Sequence, residues 1–91
     1  MKENEASIIA LQALAFIAED HEVASKFLAE AGMDTQDIKD RMHEPEVQGG
    51  VLDLVLSDDR LILGFCNAHD YTPENIIEAR KALPGGLQLM D

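Results

Sequence analysis

The chain has 91 residues, a length that suits one domain with one small core. Hydrophobic residues make up 46% of it, which is too high a fraction for a disordered segment. Eighteen acidic residues against seven basic ones give a net charge of −11. The basic residues are scattered, which disfavours nucleic acid or an anionic membrane as a ligand, because both are bound by clustered cations.

The spacing of apolar residues predicts an all-α protein, a compact bundle of about six short helices in a single domain over residues 1–91. "SIIALQALAFIA" is apolar on nearly every side, so we expect a buried first helix with Ser7 as its N-cap. Asp20 is predicted to cap a second helix, which Gly32 ends. Asp34 is predicted to cap a short third helix, ended by Pro45.

The second half shows the same signals. Pro45 is suited to the first position of a fourth helix, which contains "VQGGVLDLVL". Ser57 or Asp58 is predicted to cap a fifth helix, "RLILGFCNAHD". Thr72 followed by a proline and an acid predicts the start of a sixth helix, which "PGG" ends.

Predicted caps and core positions recur 38 residues further along the chain: Asp58 follows Asp20 at this distance, and Phe65 follows Phe27. This recurrence predicts two pseudo-equivalent three-helix repeats, with the first and fourth helices as the central pair. Gly49 is then expected, together with the adjacent Gly50, where the two central backbones approach closely. The predicted boundaries are about 7–44 for repeat A, about 45–83 for repeat B and 84–91 for a tail.

The tail contains three apolar residues after two glycines: Leu87, Leu89 and Met90. We expect them to fold back over the core; the alternatives are a short docking peptide or a turnover signal. A remaining apolar stripe from Ile62, Ile77 or the tail would support a homodimer, so both a monomer and a homodimer are open.

Two acidic corners are the candidate partner-binding residues, because the repeat places them at equivalent positions: Glu19, Asp20 and Glu22, and Asp58 with Asp59. Each helix start needs one acid as a cap, so the other acids are free to face a basic partner. The sequence therefore favours a non-catalytic protein–protein interaction module with an acidic surface. No catalytic residue, metal site or cofactor is predicted.

The first alternative is a small metal-binding or ligand-binding protein, or an enzyme. His21, His43 and His69 lie beside acids, but none shows a spacing such as His-x-x-x-His. Cys66 precedes His69 by three residues, which leaves a Cys–His pair open, although a thiol among aliphatic residues is usually an inert core residue. Asp53 in "VLDLVL" is expected on a solvent-facing stripe, with a buried functional acid as the other option.

The second alternative is an acidic DNA-mimic inhibitor, which needs carboxylates at the spacing of phosphates.

The sequence also bears on the cellular location of the protein. A single cysteine predicts no intramolecular disulfide. An acidic start and an apolar run limited to positions 8–18 predict no signal peptide and no membrane span. We therefore expect a cytoplasmic protein.

The ordered set "IALQALAFIAED", "FLAEAGMD", "GGVLDLVLSDD", "LILGFC" and "EARKALPGG" resembles a small bacterial family of uncharacterised all-helical proteins, known as a domain of unknown function in alphaproteobacteria. The resemblance covers about residues 5–86. It implies a cytoplasmic single-domain protein with no assigned reaction and no catalytic residue to carry over. It also implies a genomic position near a response-regulator gene, which points to a signalling regulator as a partner.

Overall fold

A computed structural model describes residues 1–84, and this part of the chain folds into six α-helices without a β-strand. The predicted all-α bundle is therefore confirmed. The tail residues Leu87, Leu89 and Met90 lie outside the described residues. In the described part no helix is both long and apolar enough to cross a membrane. The helices are α1 Glu3–Ala18, α2 His21–Ala31, α3 Thr35–Arg41, α4 Pro45–Ser57, α5 Asp59–His69 and α6 Pro73–Ala82.

Side-chain caps start four of these helices, as the sequence predicts. Asp20 Oδ1 accepts hydrogen bonds from the backbone N–H groups two and three residues ahead, at 3.1 and 3.2 Å. Asp58 Oδ1 does the same at the start of α5, at 2.9 and 3.2 Å. Asp34 and Thr72 each form a reciprocal capping box with the third residue of the helix. Local chemistry therefore fixes where α2, α3, α5 and α6 begin.

One cap prediction was wrong, and another was decided between its two candidates. Ser7 is not an N-cap, because α1 already begins at Glu3, whose charge suits the positive end of the helix. Of the two predicted candidates for the cap of α5, Asp58 is the one that caps the helix. The hydroxyl of Ser57 donates instead to the carbonyl of Leu54 at 2.8 Å, within the last turn of α4.

The core lies where α1, α4 and α6 pack against one another, so the predicted central pair is part of a central group of three. Small side chains on α1 permit the close approach of its neighbours, since Ala6, Ala10 and Ala13 are all at most 1% exposed. The largest fully buried side chains fill the remaining space: Phe65, Ile17, Leu52, Ile76, Val51 and Val55.

The recurrence between the two halves extends to the backbone at the ends of α2 and α5. Gly32 and Asp70 both adopt the left-handed conformation, with φ of 67° and 58°. In each case the N–H of the next residue donates to a carbonyl five residues back, at 3.0 Å. This is the Schellman arrangement that closes a helix end.

The pseudo-equivalence of two complete three-helix units is not confirmed, because the third helices pack differently. α6 lies against α1 and α4 and buries Ile76 and Ala79. α3 is three residues shorter and buries no side chain, with Ile38 only partly covered. The two halves therefore resemble one another in the local geometry of their helix caps and turns, and not in how their third helices pack.

The expected close approach of two backbones at Gly49 and Gly50 was wrong. A Cβ atom placed on Gly49 would lie 2.9 Å from Nη1 of Arg80, a side chain of α6. A Cβ atom placed on Gly50 would meet nothing within 4 Å. Gly49 therefore makes room for a guanidinium group, and Gly50 faces open space.

Candidate acidic cleft

The two predicted acidic corners border one cleft of about 490 Å³. The first corner comprises the connection between α1 and α2 with the first turn of α2, and the second comprises the single residue between α4 and α5 with the first residue of α5. Four of the five predicted partner-binding residues line the cleft, and Asp59 does not. The lining residues that carry charge are Glu19, Asp20, Glu22, Asp58 and Arg60.

The acids of the cleft divide into two kinds. Asp20 and Asp58 already accept two backbone hydrogen bonds each, so their carboxylates hold the helix starts in place. Glu19 and Glu22 are exposed and, within residues 1–84, their side chains make no hydrogen bond or ion pair with the protein. These two carboxylates are the ones available to a partner.

The floor of the cleft is apolar and comes from Phe16, Val23 and Leu61. Neighbouring residues hold the Phe16 ring in place: its centroid lies 5.7 Å from that of Phe65. A Cβ atom on Gly64 would come within 3.1 Å of the ring. The sequence did not indicate this floor, because an aromatic residue within an apolar helix is expected to be buried in the core.

Arg60 is the one cation among the residues that line the cleft. It lies in the first turn of α5, where its backbone N–H donates to Asp58 at 2.9 Å. Its side chain is exposed. Arg60 was not among the predicted site residues, because only acids were expected to face a basic partner. A partner that enters the cleft thus meets at least two available carboxylates and one guanidinium group.

The thiol considered as a nucleophile is poorly suited to that role. Cys66 is buried at 7% exposure. Burial, and secondly the charge of Glu74, raises the pKa of the Cys66 thiol above its ordinary value. The His69 ring packs against the rings of Phe65 and Tyr71, with centroids 4.8 and 6.0 Å apart. The thiol therefore stays protonated at neutral pH, whereas a nucleophilic cysteine needs the thiolate.

Asp53 is neither a free surface carboxylate nor an unpaired buried acid. Arg80 Nε donates to its Oδ1 at 2.6 Å, and Nη2 donates to Oδ2 at 3.2 Å. The Arg80 side chain is only 11% exposed and the Asp53 side chain 37%. The sequence missed this partner. The pair is a two-pronged ion pair that joins α6 to α4.

The histidines do not gather with the other candidate ligands. His21 and His43 are exposed, and so is His69. Within residues 1–84, no three side chains of the His, Cys, Asp or Glu type are placed so that they could hold a metal ion. The alternative of a metal site remains without a geometric basis in this part of the chain.

The chain belongs to a protein family whose model covers most of its length. The family described as "Protein of unknown function (DUF3572)" matches residues 3–86. This match confirms the expected resemblance to a family of unknown function. No curated protein and no solved structure matches the chain.

Proposed function

We propose that this chain, which belongs to the DUF3572 family of proteins of unknown function, is a non-catalytic cytoplasmic module that binds a basic surface of another protein through its acidic cleft. The observation that supports the proposal is the meeting of both acidic corners at one cleft with an apolar floor. A partner with the opposite charge is the one that an excess of 11 negative charges attracts.

The cleft suits a lysine or arginine side chain. The charged head would lie near Glu19 and Glu22, which have no competing partner among the described residues. The aliphatic stem would cover Phe16 and Val23, which removes apolar area from water. The neighbouring Arg60 repels a second cation close by, so it would select the position of the positive charge on the partner.

A pull-down from native lysate at low and moderate salt tests the proposal, with the bound proteins identified by mass spectrometry. The cleft variant carries Glu19→Gln and Glu22→Gln, which leaves both aspartate caps intact. The control variant carries Glu74→Gln and Glu78→Gln, two exposed acids of α6 that do not line the cleft. Both variants have the same net charge, so any difference between them reports the position of the charge.

We expect a stoichiometric partner that the wild type and the control variant retain and that the cleft variant loses. Moderate salt should weaken its binding, because salt screens exposed charges over roughly 8–10 Å. Equal loss in both variants would show that net charge alone attracts the partner. Retention of a partner by the cleft variant would contradict the proposed site.

A further inference from the structure

A second concavity, separate from the acidic cleft, lies between α2 and α4. This groove has a volume of about 340 Å³. Phe27, Ala31 and Leu54 give it apolar walls, and Gly50 forms part of its wall without any side chain. A Cβ atom on Gly50 would meet nothing within 4 Å, so the space is open down to the backbone of α4.

At the sequence spacing that relates Asp20 to Asp58, the matching positions lie on α1 and α5 and carry large side chains with contacts of their own. The Tyr71 hydroxyl donates to Gln12 Oε1 at 2.5 Å. The rings of Phe16 and Phe65 lie 5.7 Å apart, and those of Phe65 and His69 lie 4.8 Å apart. Around Gln12 and His69 these contacts occupy the space that stays open beside Gly50 and Ala31.

Two small residues, Gly50 and Ala31, leave the groove open. At the spacing that relates Phe27 to Phe65, Gly50 corresponds to Gln12 and Ala31 corresponds to His69. The phenylalanine itself is kept in both halves. Binding pockets are typically concave and lined mainly by apolar groups, as this groove is.

We propose that this groove binds a segment of another protein that presents an aliphatic side chain beside a lysine or arginine. The aliphatic side chain would lie over Gly50 against Phe27 and Leu54. The exposed carboxylate of Glu30 also borders the groove, whereas Asp53 on the same wall is already paired with Arg80. Glu30 is therefore the group that would meet the cation.

The charge of the protein argues for such a partner over a second copy of the same chain. Two molecules that each carry a net charge of −11 repel one another, and none of the described residues that line the groove is a cation that could offset this repulsion. A basic segment is instead attracted by the negative charge of the protein. The groove is distinct from the acidic cleft, since the two share no lining residue.

The test is a selection of displayed dodecapeptides on the wild type, with counter-selection on Gly50→Gln. This substitution places in the groove the side chain that the other half has at Gln12. Circular dichroism and thermal unfolding verify that the variant folds. The matched control is Ala15→Gln, which adds the same side chain at an exposed position of α1.

We expect enriched peptides that combine an aliphatic residue with a neighbouring lysine or arginine. Their affinity should fall at least tenfold for Gly50→Gln and severalfold for Glu30→Gln. It should be unchanged for Ala15→Gln and for the cleft variant Glu19→Gln with Glu22→Gln. This last arm separates the groove from the acidic cleft.

Three results would overturn the inference. The first is enrichment that does not depend on Gly50. The second is a concentration-dependent dimer, detected by light scattering, that Gly50→Gln abolishes, since a second copy would then be the occupant. The third is a marked gain in peptide affinity when the chain is shortened to end at Pro84, since its own last residues would then compete for the groove.

Discussion

Arg80 accounts for two residues of α4 that the sequence did not connect, the glycine at position 49 and the acid at position 53. Residues four apart lie one above the other on a helix, so Gly49 and Asp53 face the same side chain of α6. Gly49 leaves room for the guanidinium group, and Asp53 binds it through two oxygens. The arrangement could not be predicted locally, because it depends on how α6 packs on α4.

The adjacent glycines of α4 give a matched pair of substitutions. Gly50→Ala should raise the free energy of unfolding by roughly 0.5–1 kcal/mol, because alanine favours a helix and its Cβ enters open space. Gly49→Ala gains the same propensity but displaces Arg80 and weakens a charge-assisted contact of about 1.5–3 kcal/mol. We expect Gly49→Ala to be at least about 1 kcal/mol less stable than Gly50→Ala in urea titrations. Equal stability of the two variants would contradict the contact with Arg80.

Cys66 should react slowly with a disulfide reagent in the folded protein at pH 8. The reactive form is the thiolate, and burial raises the pKa of this thiol. In denaturant the reaction should reach the rate of a free thiol, and Cys66→Ala gives the background. Rapid reaction of the native protein would instead support an activated Cys–His pair.

The raised pKa of Cys66 also has a consequence for stability. The unfolded thiol ionises near its ordinary value of 9.0 and the folded thiol only above it. The contribution of the thiol to the free energy of unfolding is therefore fully present below the pKa of the unfolded state. It is lost as the pH rises through the pKa of the folded state. Urea titrations at neutral and alkaline pH should show a larger decline in the wild type than in Cys66→Ala, and the difference between the two reports the thiol.

At the scale of helices, the caps were the most predictable part of the fold. An N-cap works through hydrogen bonds to residues two and three positions ahead, so its signal is contained in the sequence. The packing of α3 and α6 was less predictable, although Asp34 and Thr72 form the same capping box. Which of the two helices enters the core depends on contacts with α1 and α4, which no local pattern contains.

The equivalent caps Asp20 and Asp58 should contribute equally to stability. Each accepts two backbone hydrogen bonds of similar length, so Asp20→Ala and Asp58→Ala should each cost about 1 kcal/mol. Replacement by asparagine, which keeps the acceptor, should cost much less. Urea titrations measure both pairs. A negligible cost at only one of the two corners would show that the local recurrence lacks energetic meaning.

At the scale of the whole molecule, the sequence indicated the acids of the site and not their arrangement. Glu22 and Asp58 are far apart along the chain, and only the packing of α1 and α4 brings their corners to one cleft. The apolar floor at Phe16 and the cation at Arg60 follow from the same packing. A net charge of −11 was visible at once, but a charge total does not specify a surface.

The most direct test of the account is a titration of ¹⁵N-labelled protein with butylguanidinium, a cation on an aliphatic stem. We predict saturable millimolar shifts of the amides of Glu22, Val23 and Leu61, which vanish in the Glu19→Gln, Glu22→Gln variant and persist in the Glu74→Gln, Glu78→Gln control. Shifts spread over the surface, or equal in both variants, would show that the cleft does not recognise a cation and would contradict the account.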